Sequence, residues 1–158
     1  MSVIDVVEFE IGNERYALDI NLTREIVEMV PITPVPRAPL HIAGIINLRG
    51  EITNIINLNK ILDLPEKEDR EEQKIIVLVP EAADGSNTGI IVDDVHAVLQ
   101  ITDTEIEDMK GPLSTEAYVK GIIKIGDRES SEGGEKKRLI VWLDVGQIFQ
   151  DILASTKG

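Results

Sequence analysis

A chain of 158 residues, 42% of them hydrophobic, is long enough to bury a full core and needs neither disulfides nor a structural metal to fold. It has no cysteine, which excludes thiolate metal sites, favours an intracellular compartment and leaves only His41 and His96 as imidazole ligands for zinc. Twenty-nine acidic against sixteen basic residues give a formal charge of −13. That field repels phosphate backbones and anionic headgroups, and an aromatic content of 3% offers few base-stacking platforms, so no nucleic-acid partner is expected.

The amino-terminal stretch MSVIDVVEFE carries acidic residues within its apolar run and lacks the basic region of a signal peptide. No apolar run approaches the ~20 residues needed to cross a bilayer, so the expectation is a cytoplasmic protein with no direct membrane insertion. Short β-branched runs separated by turn chemistry predict an all-β domain with short helices. A strand is expected over Val3–Ile11, a turn at Gly12-Asn13, and further strands over Arg15–Ile20 and Glu25–Val30. The prolines of PITPVPRAP forbid a central strand, which makes that segment a loop. Strands over Ile45–Leu48 and Ile52–Ile56 then meet at Arg49-Gly50, and Asn57 is placed to cap a short helix over Leu58–Leu62, stopped by Pro65. EKEDREEQK reads as a charged linker.

Beyond the linker, strands are expected over Lys74–Val79, Thr88–Asp93, Val95–Ile101, Ile122–Ile125 and Leu139–Leu143, with a turn at Asp84-Gly85-Ser86-Asn87. Val145, Ile148, Phe149, Ile152 and Leu153 fall on one face of a closing helix, and Asp144 with Gln147 three residues on resembles a capping box. The two halves echo one another. Gly44-Ile45-Ile46 recurs as Gly121-Ile122-Ile123, and IINLNKIL recurs as WLDVGQIF, with Asn57 matched by Asp144 and Ile61 by Ile148. Duplication into two similar small β-barrels sharing an apolar seam accounts for this. The whole chain, 1–158, then forms one domain with subdomains over 12–70 and 71–153 and the first strand, 3–11, exchanged between them.

Catalytic equipment is hard to find. Asp93 and Asp94 are neighbours on a strand and point to opposite faces, which disfavours joint acid–base work. Neither histidine sits in a nucleophile motif, TDTEIEDM lacks the glycine and ligand spacing of a calcium loop, and SEGGEK lacks the spacing of a phosphate loop. Lys136-Lys137-Arg138 reads as a solvated hairpin tip, and the Asn21-Leu22-Thr23 sequon would go unused in a cytoplasmic protein. No enzyme activity and no cofactor are expected. A hydrolase using Asp93 or Glu105 is the distant alternative.

The strings VVEFEIGNERYALDI, REIVEMVPITPVP, IAGIINLRGEI, GIIVDDVHAV and LIVWLDVGQIF, spread along nearly the whole chain, resemble those of CheW-type chemotaxis coupling proteins. GIINLRG after a proline-rich loop is the most specific of these marks. The resemblance implies two pseudo-symmetric five-stranded SH3-like barrels and a non-catalytic adaptor at membrane-bound receptor arrays. Its implied partners are the cytoplasmic helical tip of chemoreceptors and the regulatory domain of the histidine kinase CheA. It places receptor contacts at Glu25, Ile26, Asn47, Leu48, Arg49 and Gly50, where Arg49 would otherwise be read as a solvated turn residue. Kinase contacts are expected at Ile91, Val92, Asp93, Asp94 and Val95, with a buried core strand as the competing reading for Ile91 and Val95. The family often has proline where this chain has Asn54, and a regulatory scaffold of a non-chemotactic kinase pathway is the rival function.

Overall fold

The computed structural model describes residues 3–64, 72–83, 85–107, 118–126 and 137–156. Its strands are β1 (Val3–Ile11), β2 (Glu14–Asp19), β3 (Thr23–Glu28), β4 (Ile42–Leu48), β5 (Glu51–Ile56), β6 (Lys74–Leu78), β7 (Thr88–Val92), β8 (Asp94–Thr102), β9 (Ile106–Glu107), β10 (Val119–Gly126) and β11 (Lys137–Leu143). Helix α1 (Leu58–Leu62) follows β5, and helix α2 (Val145–Thr156) follows β11. One sheet runs β8-β1-β2-β11-β10-β9 and the other β3-β6-β7-β5-β4.

Turn chemistry sets the hairpins. Gly12 and Asn13 both take positive φ (60° and 70°), so β1 and β2 close through a tight two-residue turn from Ile11 to Glu14. The same geometry recurs at Arg49 and Gly50 (φ 52° and 87°), which join β4 to β5. Helix α1 is capped by Asn57, whose side chain accepts from the Asn59 amide, and it ends at Asp63 in the left-handed region, before the expected stop. Pro65 and most of the charged linker lie outside the described residues, as does Asp84 of the turn expected after β6. The capping box expected on α2 is half made. Asp144 accepts from the Gln147 amide, but the Gln147 side chain donates to Asp151, and the Asp144 N–H is taken by the Tyr118 carbonyl.

The duplication appears in the sheet order, though not with the expected boundary. β4, β5 and α1 correspond to β10, β11 and α2. β7 runs parallel to β5 as β2 runs parallel to β11. The hairpin β1–β2 therefore stands in the six-stranded sheet where β6–β7 stand in the five-stranded one. Equivalent bonds seat both caps: the Asn57 amide donates to the His41 carbonyl and the Asp144 amide to the Tyr118 carbonyl, each at 2.7 Å.

The subdomain ranges 12–70 and 71–153 do not follow the sheets. Among the described residues, the strands from residue 23 to 92 lie in one sheet, and those over 3–19 and 94–143 lie in the other. The acidic linker is a break in composition only, because the chain returns from it to pair β6 with β3 and β7 with β5. The six-stranded count also exceeds the expected five, through the two-residue strand β9, which pairs with β10 where no strand was expected.

Three apolar clusters result among the described residues. The largest fills the seam between the sheets, with Phe9, Ile11 and Leu18 meeting Ile56, Ile76, Leu78 and Ile90, under Leu58, Ile148 and Phe149 from the helices. A second lies within the six-stranded sheet around Val6, Ile101, Ile123 and Ile140. The third lies within the five-stranded sheet around Ile46, Ile55, Ile75, Val77 and Ile91, and both edge strands reach it, through Val27 and Leu48. That sheet is therefore curled. At Asn54 the backbone N–H donates to the Asn87 carbonyl at 2.9 Å, a bond that a proline there would lack.

Candidate functional site

The β4–β5 turn demands two left-handed residues, for which asparagine and glycine are best suited. Arginine at the first position costs roughly 1 kcal/mol of backbone strain. What the position gains is a guanidinium held on a short, fixed turn. Asn47 stiffens the turn further by accepting the Gly50 amide at 2.9 Å. The curl of the sheet brings edge strand β3 to this turn, and the Arg49 guanidinium pairs with the Glu25 carboxylate across it. A second pair, Arg24 to Glu51 at 3.5 Å, bridges the same two elements. Arg49 keeps 63% of its side chain exposed while Glu25 keeps 23%, so the carboxylate positions the guanidinium and the guanidinium faces solvent. The hydrogen bond and charge of Glu25 push the Arg49 pKa further up, with a smaller push from Glu51, so the cation persists at any working pH.

The structure thus brings together Glu25, Asn47, Arg49 and Gly50 of the expected receptor set. Ile26, next to Glu25 in the chain, points to the opposite, outward face of β3 and is 42% exposed. Leu48 departs from expectation: strand alternation turns its side chain inward onto the third cluster. Two residues that sequence reasoning missed complete the surface. Arg24 joins it through Glu51, and Ile52, 59% exposed, presents an apolar side chain on β5. Nothing in an isoleucine-rich strand distinguishes Ile52 from its buried neighbours Ile55 and Ile56. Chemically, a fixed, exposed cation suits gripping a protein surface with carboxylate or carbonyl acceptors, and the exposed isoleucines 26 on β3 and 52 on β5 add apolar area.

The expected kinase set fares differently. β7 sits inside its sheet, between β6 and β5, and all five of its residues are buried, so Ile91 and Val92 belong to the core and offer no surface. Asp93 is also buried, 6% exposed, with both carboxylate oxygens bonded to protein groups. Only Asp94 and part of Val95 remain outward. The continuous apolar run of a strand covered on both faces explains why periodicity could not reveal this.

Asp94 accepts from the Val95 amide at 2.8 Å and faces Lys74 at 3.4 Å, and these hold its pKa below the ordinary carboxylate range. A depressed carboxylate stabilises the fold above its unfolded pKa, and that stabilisation is lost as pH falls through the folded value. Asp94→Asn is therefore expected to flatten the acid limb of a stability–pH curve slightly. Superposable acid limbs for variant and parent would show the bond is worth nothing.

An apolar cleft of about 440 Å³ lies at the seam, lined among others by Tyr16, Ile61, Leu62, Tyr118 and Val141. Among the described residues no group of three or more His, Asp or Glu is placed to hold a metal, and no helix is long and apolar enough to cross a membrane.

Comparison with known proteins agrees with this architecture. The family model described as a CheW-like domain matches residues 5–153. The chain is 33% identical over 153 residues to the chemotaxis protein CheW of Thermotoga maritima, covering 94% of this chain and 89% of that one. It is 31% identical over 125 residues to the CheW of Bacillus subtilis, covering 78% of each. Among solved structures, the scaffolding protein TtCheW from Thermoanaerobacter tengcongensis superposes with a TM-score of 0.72 at 32% identity, covering 90% of this chain and 85% of that one. With a family match over nearly its full length and relatives that share both sequence and fold, the chain belongs to the CheW-like domain family of chemotaxis scaffold proteins.

Proposed function

We propose that this protein is a non-catalytic adaptor that couples chemoreceptors to the histidine kinase CheA, and that the Arg49 hairpin is its receptor-docking site. The observation that carries the reading is the exposed guanidinium, held on a strained turn and oriented by Glu25, in a sheet that also leaves isoleucines 26 and 52 exposed. A helical receptor tip supplies the matching chemistry, carboxylates and carbonyls along an apolar ridge. Recruitment to membrane-bound receptor arrays then follows from binding to the receptor. The regulatory domain of CheA would dock elsewhere, at an outward edge that includes Asp94 and Val95, since Ile91, Val92 and Asp93 are committed to the interior.

Arg49→Ala tests this. An exposed ion pair contributes little to folding, so the unfolding midpoint is expected to stay unchanged. Receptor-fragment binding, measured by titration calorimetry, is expected to weaken about thirtyfold, as for loss of a central interface arginine. Glu25→Gln should weaken it in part by freeing the guanidinium. Unaltered affinity in a folded Arg49→Ala protein would make Arg49 a turn residue and nothing more.

A further inference from the structure

The chain passes from the five-stranded sheet to the six-stranded one through a single residue. β7 ends at Val92, β8 begins at Asp94, and Asp93 is the junction. Its backbone N–H donates to the Glu10 carbonyl of β1 at 2.9 Å. One carboxylate oxygen, Oδ2, accepts the Gly12 amide at 2.7 Å, at the tip of the β1–β2 hairpin. The other, Oδ1, accepts the Gln73 Nε2 at 2.9 Å, just ahead of β6. One buried carboxylate thus ties the hairpin of one sheet to the entry of a strand of the other. The remaining oxygen of Gln73, Oε1, is buried without a hydrogen-bond partner among the described residues, so the bond to Asp93 is the one that orients the Gln73 side chain there.

We propose that Asp93 is a positioning residue that clamps the two sheets at one relative orientation, so that the receptor-docking hairpin on one and the kinase-docking edge on the other are presented as a rigid pair. The proposal about coupling rests on the adaptor reading above, whereas the clamp itself is a property of the chain alone. The receptor surface at Arg49 lies wholly in the five-stranded sheet. A fixed relation between the sheets lets a signal pass between partners bound to different ones, and the directional hydrogen bonds of Asp93 add to the non-directional apolar contacts of the seam cluster in setting it.

The clamp needs geometry more than charge, and this distinguishes it from a general electrostatic role. Asparagine at 93 keeps one oxygen for the Gly12 amide. Its new amide can donate to Gln73 Oε1 once the Gln73 amide turns over, which keeps one hydrogen bond between the two side chains. Alanine removes both bonds, and Gln73→Leu removes one while leaving Asp93 in place.

The experiment has two arms. The chain has no cysteine, so Ile52→Cys and Leu139→Cys, both exposed and on different sheets, accept a unique pair of spin labels. The distance distribution between them is expected to broaden in Asp93→Ala and Gln73→Leu and to match the parent in Asp93→Asn. In the second arm, without labels, receptor stimulation of CheA is expected to fall about tenfold in Asp93→Ala, with Asp93→Asn restoring it and each binary affinity unchanged. A parent-like distance distribution in both Asp93→Ala and Gln73→Leu overturns the clamp. Broadening with undiminished stimulation overturns its role in coupling, whereas a parent protein that binds neither partner overturns the adaptor reading and leaves the first arm to decide the clamp.

Discussion

Phe149→Ala is expected to lower the free energy of unfolding by about 3–5 kcal/mol, the loss typical of a large aromatic side chain removed from a packed core. Val145, Ile148 and Phe149 form the buried stripe of α2 at i, i+3 and i+4, and Phe149 retains 6% of its surface. The helix follows β11 of the six-stranded sheet, yet Phe149 shares its cluster with Ile76, Leu78, Ala83 and Ile90 from the five-stranded half. The deletion therefore opens a cavity at the seam, where neither sheet can collapse inward alone. Denaturant unfolding at neutral pH measures it. A loss below about 1 kcal/mol would mean the stripe is exposed and would make α2 a docking surface instead. Ile152 and Leu153, expected on the same stripe, have side chains outside those described.

Gly44→Ala is expected to be nearly as damaging, and for a backbone reason. Gly44 has φ +150°, and a Cβ there would stand 2.3 Å from the Thr33 carbonyl oxygen and 2.6 Å from Ile32 Cγ2. The Thr33 backbone is fixed by reciprocal bonds of 2.9 Å to Ile45, so it cannot retreat without breaking the bridge that pins the proline-rich loop. A loss of about 3 kcal/mol or more follows from combined strain and overpacking. Gly121, its counterpart in the other sheet, makes a useful control. A Cβ there would meet Ile106 Cγ2 at 3.1 Å and the Glu107 carbonyl at 3.2 Å, contacts that small shifts relieve, for about 1 kcal/mol. Equal losses at the two glycines, or a mild effect at Gly44, would contradict the picture of two related glycine sites packed to different tightness.

Local chemistry was legible where it is written in single residues. Gly12-Asn13 and Arg49-Gly50 mark their turns, Asn57 and Asp144 mark matching helix starts, and the prolines from 31 to 39 exclude a strand. The pairing of strands was not legible in the same way, because β6 and β7 return across the acidic linker to strands far earlier in the chain. Facing was the other blind spot. In runs such as Ile90-Ile91-Val92 and Glu51-Ile52-Thr53, isoleucine and valine occur at buried and exposed positions alike, so Ile91 read as surface proved core and Ile52 went unnoticed. Asp93 shows a third limit. A carboxylate between apolar strands looks like a rim charge in sequence, and only the fold shows that the hairpin tip at Gly12 and the side chain of Gln73 converge on it. Of the receptor set, Arg49 and Glu25 lie 24 positions apart in the chain, and their pairing depends on a curl of the sheet that no spacing encodes.

The most direct test of the adaptor account is whether one molecule of this protein holds both partners at once. Purified protein, a chemoreceptor cytoplasmic fragment and CheA are mixed and resolved by analytical ultracentrifugation, with Arg49→Ala in parallel. The account predicts a ternary species for the parent, and for Arg49→Ala a complex with CheA that has lost the receptor fragment. Displacement of one partner by the other, or loss of both together on Arg49→Ala in a folded protein, would contradict it.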